Sequence, residues 1–369
     1  LDAYGNTTDL NWMAGSQYVY SFGKCIFMPS DLTAGIEFNQ DKLEDNMWGY
    51  NRTVDQKVNI GSAFLQNEWK NDHWGFLIGG RLDKHNLIDH VIFSPRANLR
   101  YNPTENINLR FSYSSGFRAP QAFDEDLHVE NVGGNVAMVE LADNLKEERS
   151  QSLSASADIY HRFGAFQVNF LVEGFYTKLS DVFALTDGEV VDGILTRTRH
   201  NASGAQVLGL TLEGKMAYLN KIQVQAGVTL QQSHYSKPHI WNKEAPAVKK
   251  MMRTPNTYGY FTATYTPIKP LSIALSGTYT GSMLVPHEPV PGFLENPITV
   301  NTKDFFDIGL KAAYDFKLYK SMNLQVNAGA QNIFNAYQND FDKGADRDSG
   351  YIYGPSLPRS FFAGVKISY

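Results

Sequence analysis

Four residues that could face a metal chelate stand within five positions of one another: Asp124, Glu125, Asp126 and His128. Carboxylates supply hard oxygen ligands and a neutral imidazole supplies a nitrogen, so a loop presenting both could meet a bound metal complex. Acidic runs also form ordinary solvated loop surface, and that plainer reading is preferred for these four. A second set is aromatic. Trp241, Tyr258, Phe293, Tyr351 and Tyr353 fall in or beside polar stretches, where rings could stack on a flat or apolar ligand. Rings anchoring a membrane interface would read the same way, and both alternatives stand. Arg118 could pair with an anion. With Pro120 two residues on, it reads better as the end of a strand, because a prolyl nitrogen cannot donate to a sheet ladder. No catalytic set emerges: the histidines are scattered, neither HExxH nor GxSxG occurs, and Gly79-Gly80 and Gly133-Gly134 lack the strand-to-helix setting of a phosphate loop. No enzyme, cofactor or resident metal is expected, only a transported metal chelate.

The elements that must position these residues are strands. The chain has no apolar run long enough for a transmembrane helix, and its mean hydropathy is negative. A transmembrane β-barrel escapes that exclusion, since its lumen-facing residues dilute the hydropathy signal. Aromatic residues make up 13% of the chain, more than a soluble core needs and suited to girdles at both membrane interfaces. A net charge of −5 argues against nucleic acid as a partner. The single cysteine, Cys25, leaves no internal disulfide to hold the fold.

Apolar and polar residues alternate with period two from end to end. Ile107, Leu109, Phe111 and Tyr113 alternate with Asn108, Arg110 and Ser112; Leu153, Ala155, Ala157 and Ile159 with Ser154, Ser156 and Asp158; Met322, Leu324, Val326 and Ala328 with Asn323, Gln325 and Asn327. The final residues, from Phe361 to Tyr369, keep the pattern and stop on an aromatic. The connections also alternate. Tight links at Asn71-Asp72, Pro103 to Asn106, Phe163-Gly164, Asn220-Lys221, Pro267 to Pro270 and Lys320-Ser321 separate long polar segments. Those segments run roughly over 41–55, 83–90, 118–146, 236–252, 284–302 and 339–358. Short turns on one rim and long loops on the other are the asymmetry of an outer-membrane barrel. Counting back from the last strand predicts about 15 antiparallel strands, provided that Val190 to Leu219 is one strand broken near Asn201 to Gly204. An odd number cannot close a bacterial barrel of this kind, so the chain reads as the C-terminal part of a larger one. The absence of a basic and apolar leader at Leu1 fits a truncated exported protein.

Several boxes resemble those of TonB-dependent outer-membrane receptors. Gly116-Phe-Arg-Ala-Pro120 at a strand end resembles the FRAP box, and Asn144-Leu-Lys-Glu-Glu-Arg-Ser150 the NPDL-KPE box, although Ala142-Asp-Asn-Leu145 lacks the usual proline. Ser94 to Tyr101, Gln331-Asn-Ile-Phe-Asn335 and Gly354-Pro-Ser-Leu-Pro-Arg359 follow the family's order, and Gln121 to Val129 is similar to receptors of Bacteroidetes type. The resemblance implies a 22-stranded barrel occluded by a plug, with residues 1–369 as the C-terminal part of the barrel and the plug and TonB box preceding Leu1. It implies energised uptake of a scarce nutrient: a cobalamin, haem or an iron–siderophore complex. The implied partners are the TonB complex, outer-membrane lipid, a surface lipoprotein and the barrel-assembly machinery, which reads the terminal aromatic, here Tyr369. In some haem receptors of the family a histidine between the two boxes ligates iron, and His128 lies between them. A passive porin or an outer-membrane barrel enzyme is the alternative function.

Overall fold

The computed structural model describes residues 5–48, 52–120, 136–191, 194–319, 321–344, 347–348 and 350–369. Twenty-one strands form among them. They are β1 (Gly5–Cys25), β2 (Met28–Met47), β3 (Arg52–Lys70), β4 (Trp74–His85), β5 (Ile92–Thr104), β6 (Ile107–Arg118), β7 (Val136–Leu141), β8 (Glu148–Phe163), β9 (Phe166–Ser180), β10 (Phe183–Val191) and β11 (Ile194–Asn201). After these come β12 (Ala205–Tyr218), β13 (Ile222–His239), β14 (Val248–Lys250), β15 (Thr257–Ile268), β16 (Leu271–Thr280), β17 (Leu284–His287), β18 (Ile298–Asn301), β19 (Phe305–Tyr319), β20 (Met322–Gln331) and β21 (Ser360–Ser368). Fifteen of them make one antiparallel path, β1-β2-β3-β4-β5-β6-β8-β9-β12-β13-β15-β16-β19-β20-β21, with β14 added beside β13. The other five form two small sheets within the long connections, β10-β11-β7 and β17-β18.

Register turns the period-two pattern into two walls. Phe111, Ala155, Gly174, Leu210 and Leu230 stand opposite one another across five strands, as do Leu275, Leu310, Ala330 and Phe361 across four. The alternate rung, Arg110, Ser156, Glu173, Thr211 and Thr229, is polar. A one-residue slip would exchange the walls, so patterning fixes the register throughout. Rings press on facing glycines: a Cβ at Gly209 would lie 2.3 Å from the Phe175 ring, a place where only glycine fits.

The apolar wall ends in rings at both rims. Near the tight turns Phe27 stacks on Trp69 at 5.6 Å, Trp74 on Tyr101 at 4.2 Å, and Phe166 lies 4.5 Å from Tyr218. Toward the loops, Trp12 meets Phe38 at 5.2 Å, and Phe306 lies 6.2 Å from both Phe261 and Phe334. On β4 the outward residues run from Trp74 to Leu82, eight positions or about 27 Å along the strand, which at a tilt near 40° is about 21 Å of height and fits within the ~25 Å apolar band of an outer-membrane barrel.

Tight turns fall at five of the six predicted places, the sixth including Lys320 outside the described residues, and a further one, Ile26-Phe27, joins β1 to β2. Two expectations need correction. Residues 41–55 are not a long loop: β2 and β3 continue as a paired ladder from Asp41↔Val58 to Met47↔Arg52. Above the membrane that ladder has no lipid to face, so it carries polar residues and reads as loop. Nor are Val190 to Leu219 one strand. Val190 and Val191 end β10, β11 pairs with β10 and β7, and β12 starts at Ala205 beyond the predicted break. Period two continues through both sheets, which is why the change of sheet left no mark in the pattern.

The wall assignment has a direct test. Val326→Arg, on a rung with Tyr314 and Val365, is expected to cost about 2–4 kcal/mol near the membrane midplane. Asn327→Arg, on the opposite face, is expected to be mild. Denaturant unfolding of both variants in lipid vesicles reads the difference, and equal costs would overturn the assignment.

Candidate functional site at the long-loop rim

Three long connections converge on a small core of their own. Met283 and Val285 on one, with Tyr351 on another, are buried together, and Val300 and Tyr353 pack against them. The His287 imidazole lies flat on the Tyr351 ring, 3.8 Å between centroids and 7° from parallel. Its Nε2 is 2.8 Å from Asp342 Oδ2, and both side chains are buried. Tyr351 and Tyr353 both donate their hydroxyls to Asp340 Oδ2, at 3.3 and 2.7 Å. Buried Gln338 closes the turn: its Oε1 accepts from the amides of Tyr353 and Gly354, and its Nε2 donates to the Tyr351 carbonyl.

Arg253 ties in the third connection, donating to the carbonyls of Ile352 and Gly350 while its amide donates to Leu284 O. Asn242 Nδ2 donates to Glu288 Oε2 at 2.8 Å, and the Glu288 amide to Asp348 Oδ2 at 2.9 Å. Burial first, then the neighbouring Asp340, pushes the Tyr351 hydroxyl up to about 12. The Tyr353 hydroxyl is raised by the same burial and by its bond to Asp340. These phenols are therefore neutral donors, suited to holding loops together.

A second cluster covers the other side of the rim. Ile88, Ile92 and Ala119 are buried together with Phe117 against them. Buried Glu147 receives Arg149 at 2.6 Å and His90 at 3.0 Å. Burial alone would raise that carboxyl, but its own backbone amide, His90 and Arg149 outweigh it and leave Glu147 below the usual range. Arg118, the last residue of β6, pairs with Glu148 at 3.6 Å and lies 5.6 Å over the Phe183 ring, as does buried Arg199 from β11. Arg118 thus fastens the small sheet to the wall, and Pro120, two residues on, is buried.

Below the loops the inner wall is polar. Lys215 lies 2.7 Å from Glu213, which also accepts from Tyr260, and Gln225 donates to the Tyr260 hydroxyl. A hollow of about 370 Å³ opens there among Tyr160, Asn169, Lys215, Gln225 and Thr262. A larger one, about 650 Å³, lies where Pro355 to Pro358 fold back over Tyr260, Thr278 and Asp307.

The sequence-predicted residues divide accordingly. Asp124, Glu125, Asp126 and His128 lie outside the described residues. Tyr351, only 5% exposed, and half-buried Tyr353 are committed to the loop core rather than open to a ligand. Phe293 is 76% exposed at the Val290↔Leu294 turn, and half-buried Trp241 has an indole N–H buried without a partner. Tyr258 sits within β15, and Tyr369, just past β21, is 99% exposed. His287, Asp340, Asp342, Gln338 and Arg253 were not singled out from sequence. The alternate polar spacing of Gln338, Asp340 and Asp342 was the available signal. Among the described residues no three His, Cys, Asp or Glu side chains are placed to hold a metal ion. The rim is built to hold a shape.

An antiparallel wall with an apolar outer face, ringed by aromatics and capped by folded loops, defines an outer-membrane β-barrel protein. The family model for the TonB dependent receptor-like β-barrel matches residues 2–333, and the chain belongs to that family. The family is one of transport receptors. No curated protein matches the chain significantly. Similar solved structures include a ferric enterobactin receptor of Pseudomonas aeruginosa (16% identity, TM-score 0.69, 97% of this chain and 54% of that one). Others are a siderophore receptor, PirA, of Acinetobacter baumannii (16%, 0.68, 98% and 55%) and the ferric-catecholate import receptor Fiu of E. coli (15%, 0.70, 98% and 55%). The chain spans little more than half the length of these structures.

The loop core carries a pH signature. A phenol whose folded value is raised contributes stability that is whole below its ordinary value near 10 and lost as pH climbs to about 12. Residues 332–359 are expected to resist protease up to about pH 10 and to open above it, with Tyr351 ionising as they do. Parallel ultraviolet titration and limited proteolysis check this; phenolate formation near 10 with the loops still protected would contradict it.

Proposed function

We propose that this chain forms most of the barrel wall of a receptor that imports an iron–siderophore complex across the outer membrane, energised through the TonB complex. The observation that carries the reading is the pairing of a fifteen-strand lipid-facing wall with a rim of long loops packed on one another around a core of their own. It is supported by family membership and by the siderophore receptors among the similar structures. On the same reading a plug, a TonB-contacting segment and about seven further strands precede Leu1, completing a barrel of 22. Exposed Tyr369 is the residue offered to the barrel-assembly machinery, and a surface lipoprotein is a further partner.

Deleting the gene should abolish growth on a ferric siderophore as the only iron source, and the full-length gene should restore it. Restoration of growth on limiting haem or cobalamin instead, with siderophore uptake unchanged, would overturn the choice of ligand. Ion conductance through the purified protein in planar bilayers without TonB would point to a porin.

A further inference from the structure

One band of the outer wall departs from the apolar pattern with a uniform sign of charge. Register places Gln151, Lys178, Gln206, His234 and Lys250 opposite one another on β8, β9, β12, β13 and β14. These residues share the outward face with Leu208, Leu210, Leu230 and Phe170, each at least 39% exposed on the lipid side. No carboxylate stands within the row, and the next outward rung holds Ser180 opposite Arg149, whose guanidinium is already paired with Glu147. Neither Lys178 nor Lys250 has a carboxylate partner among the described residues.

The height of the row places it at the headgroups. Lys178 lies twelve residues above Phe166 of the lower girdle, roughly 40 Å along the strand. A strand tilt near 40° reduces that to about 30 Å, just beyond the ~25 Å apolar band. Lys178 and Lys250, three strand spacings apart, are separated by roughly 15 Å. Other outward lysines differ. Lys42 faces Lys57, but Glu44 and Asp55 face each other on the next rung, and Lys42 lies 3.9 Å from Glu44. That pair is balanced by its own neighbours, whereas the Lys178–Lys250 row has no carboxylate partner among the described residues.

We propose that Lys178 and Lys250, with Gln151, Gln206 and His234 between them, seat the phosphate groups of a phosphorylated lipid of the outer leaflet. Two ammonium groups supply the charge, and the amides and imidazole supply hydrogen-bond donors to phosphate oxygens. The inference rests on outer-membrane location and not on which nutrient is imported.

The test uses the full-length protein extracted from outer membranes in non-ionic detergent. Lipid retained through purification is measured by native mass spectrometry, followed by rebinding of bisphosphorylated lipid A and of its dephosphorylated form. Lys178→Gln with Lys250→Gln should lower binding of the phosphorylated form roughly tenfold or more, and Lys42→Gln with Lys57→Gln should leave it within about twofold. Unchanged binding in the first pair, or an equal loss in both pairs, would overturn the proposal. So would full displacement of the lipid by inorganic phosphate at matched phosphate concentration, since the site would then take a free anion. Heat-modifiable migration on gels verifies folding. Should the double variant not fold, Lys250→Gln alone, on short β14 outside the apolar band, is read against the same control.

Discussion

No water reaches the middle of a bilayer, so each backbone N–H and C=O of a crossing strand must find its partner on the next strand. Most features of this chain follow from that requirement. It makes the path β1 to β21 an unbroken series of antiparallel neighbours, and it sends every excursion, β7, β10, β11, β14, β17 and β18, beyond the rim where irregular backbone can meet water. With the backbone satisfied by the ladder, side chains are left to sort themselves by solvent. Leu324 and Val326 face Ile367 and Val365 on one wall, while Gln325 and Asn327 face Lys366 and Gly364 on the other. Glycine appears where a facing ring needs the space, as at Gly209 under Phe175.

The loops face the opposite problem. They have no lipid to order them and little of the sheet to lean on, so they order one another. The contact between His287 and Tyr351, flat and buried, joins two connections more than sixty residues apart in the chain. Buried Gln338 and Asp342 then use their hydrogen-bonding capacity on that junction rather than on solvent. The two phenols donate to Asp340 at the edge of the cluster, and the buried Asp342 carboxylate is tolerable because the His287 imidazole lies 2.8 Å from it. The result is a rim with a defined shape, which a receptor needs if binding is not to be spent on ordering loops.

The wall was legible in the sequence and the rim was not, for one reason. Lipid imposes a period-two pattern that any reader can count, and tight turns need so few residues that their positions are fixed by it. The β2–β3 extension and the β7-β11-β10 sheet lie outside the bilayer, where polar residues satisfy both faces and strand and loop look alike. The sequence marks Tyr351 and Tyr353 as rings and not as donors, because their partner Asp340 becomes meaningful only once the loop has folded. Arg118 was read as a strand terminus, and its ion pair with Glu148 and its place over Phe183 give that reading its physical content.

Direction along the wall bears on how the barrel is completed. Both β1 and β21 run from the loop rim to the tight-turn rim, because fifteen antiparallel strands begin and end with the same polarity. They therefore cannot pair antiparallel with each other, and any closed antiparallel barrel containing this wall needs an odd number of further strands between them. The seven of the proposed 22-stranded barrel satisfy that condition. The outer half of β1 reinforces the point: from Thr7↔Asp45 to Asn11↔Asp41 it gives hydroxyl and amide hydrogens to β2 carboxylates. That part of the strand is built for water, whereas the lower part, with Tyr18 and Tyr20 on its outward face, is built for lipid. An edge strand that changes solvent partway along its length demands a neighbour of similar length that changes at the same height, a stricter condition than simply filling an open ladder.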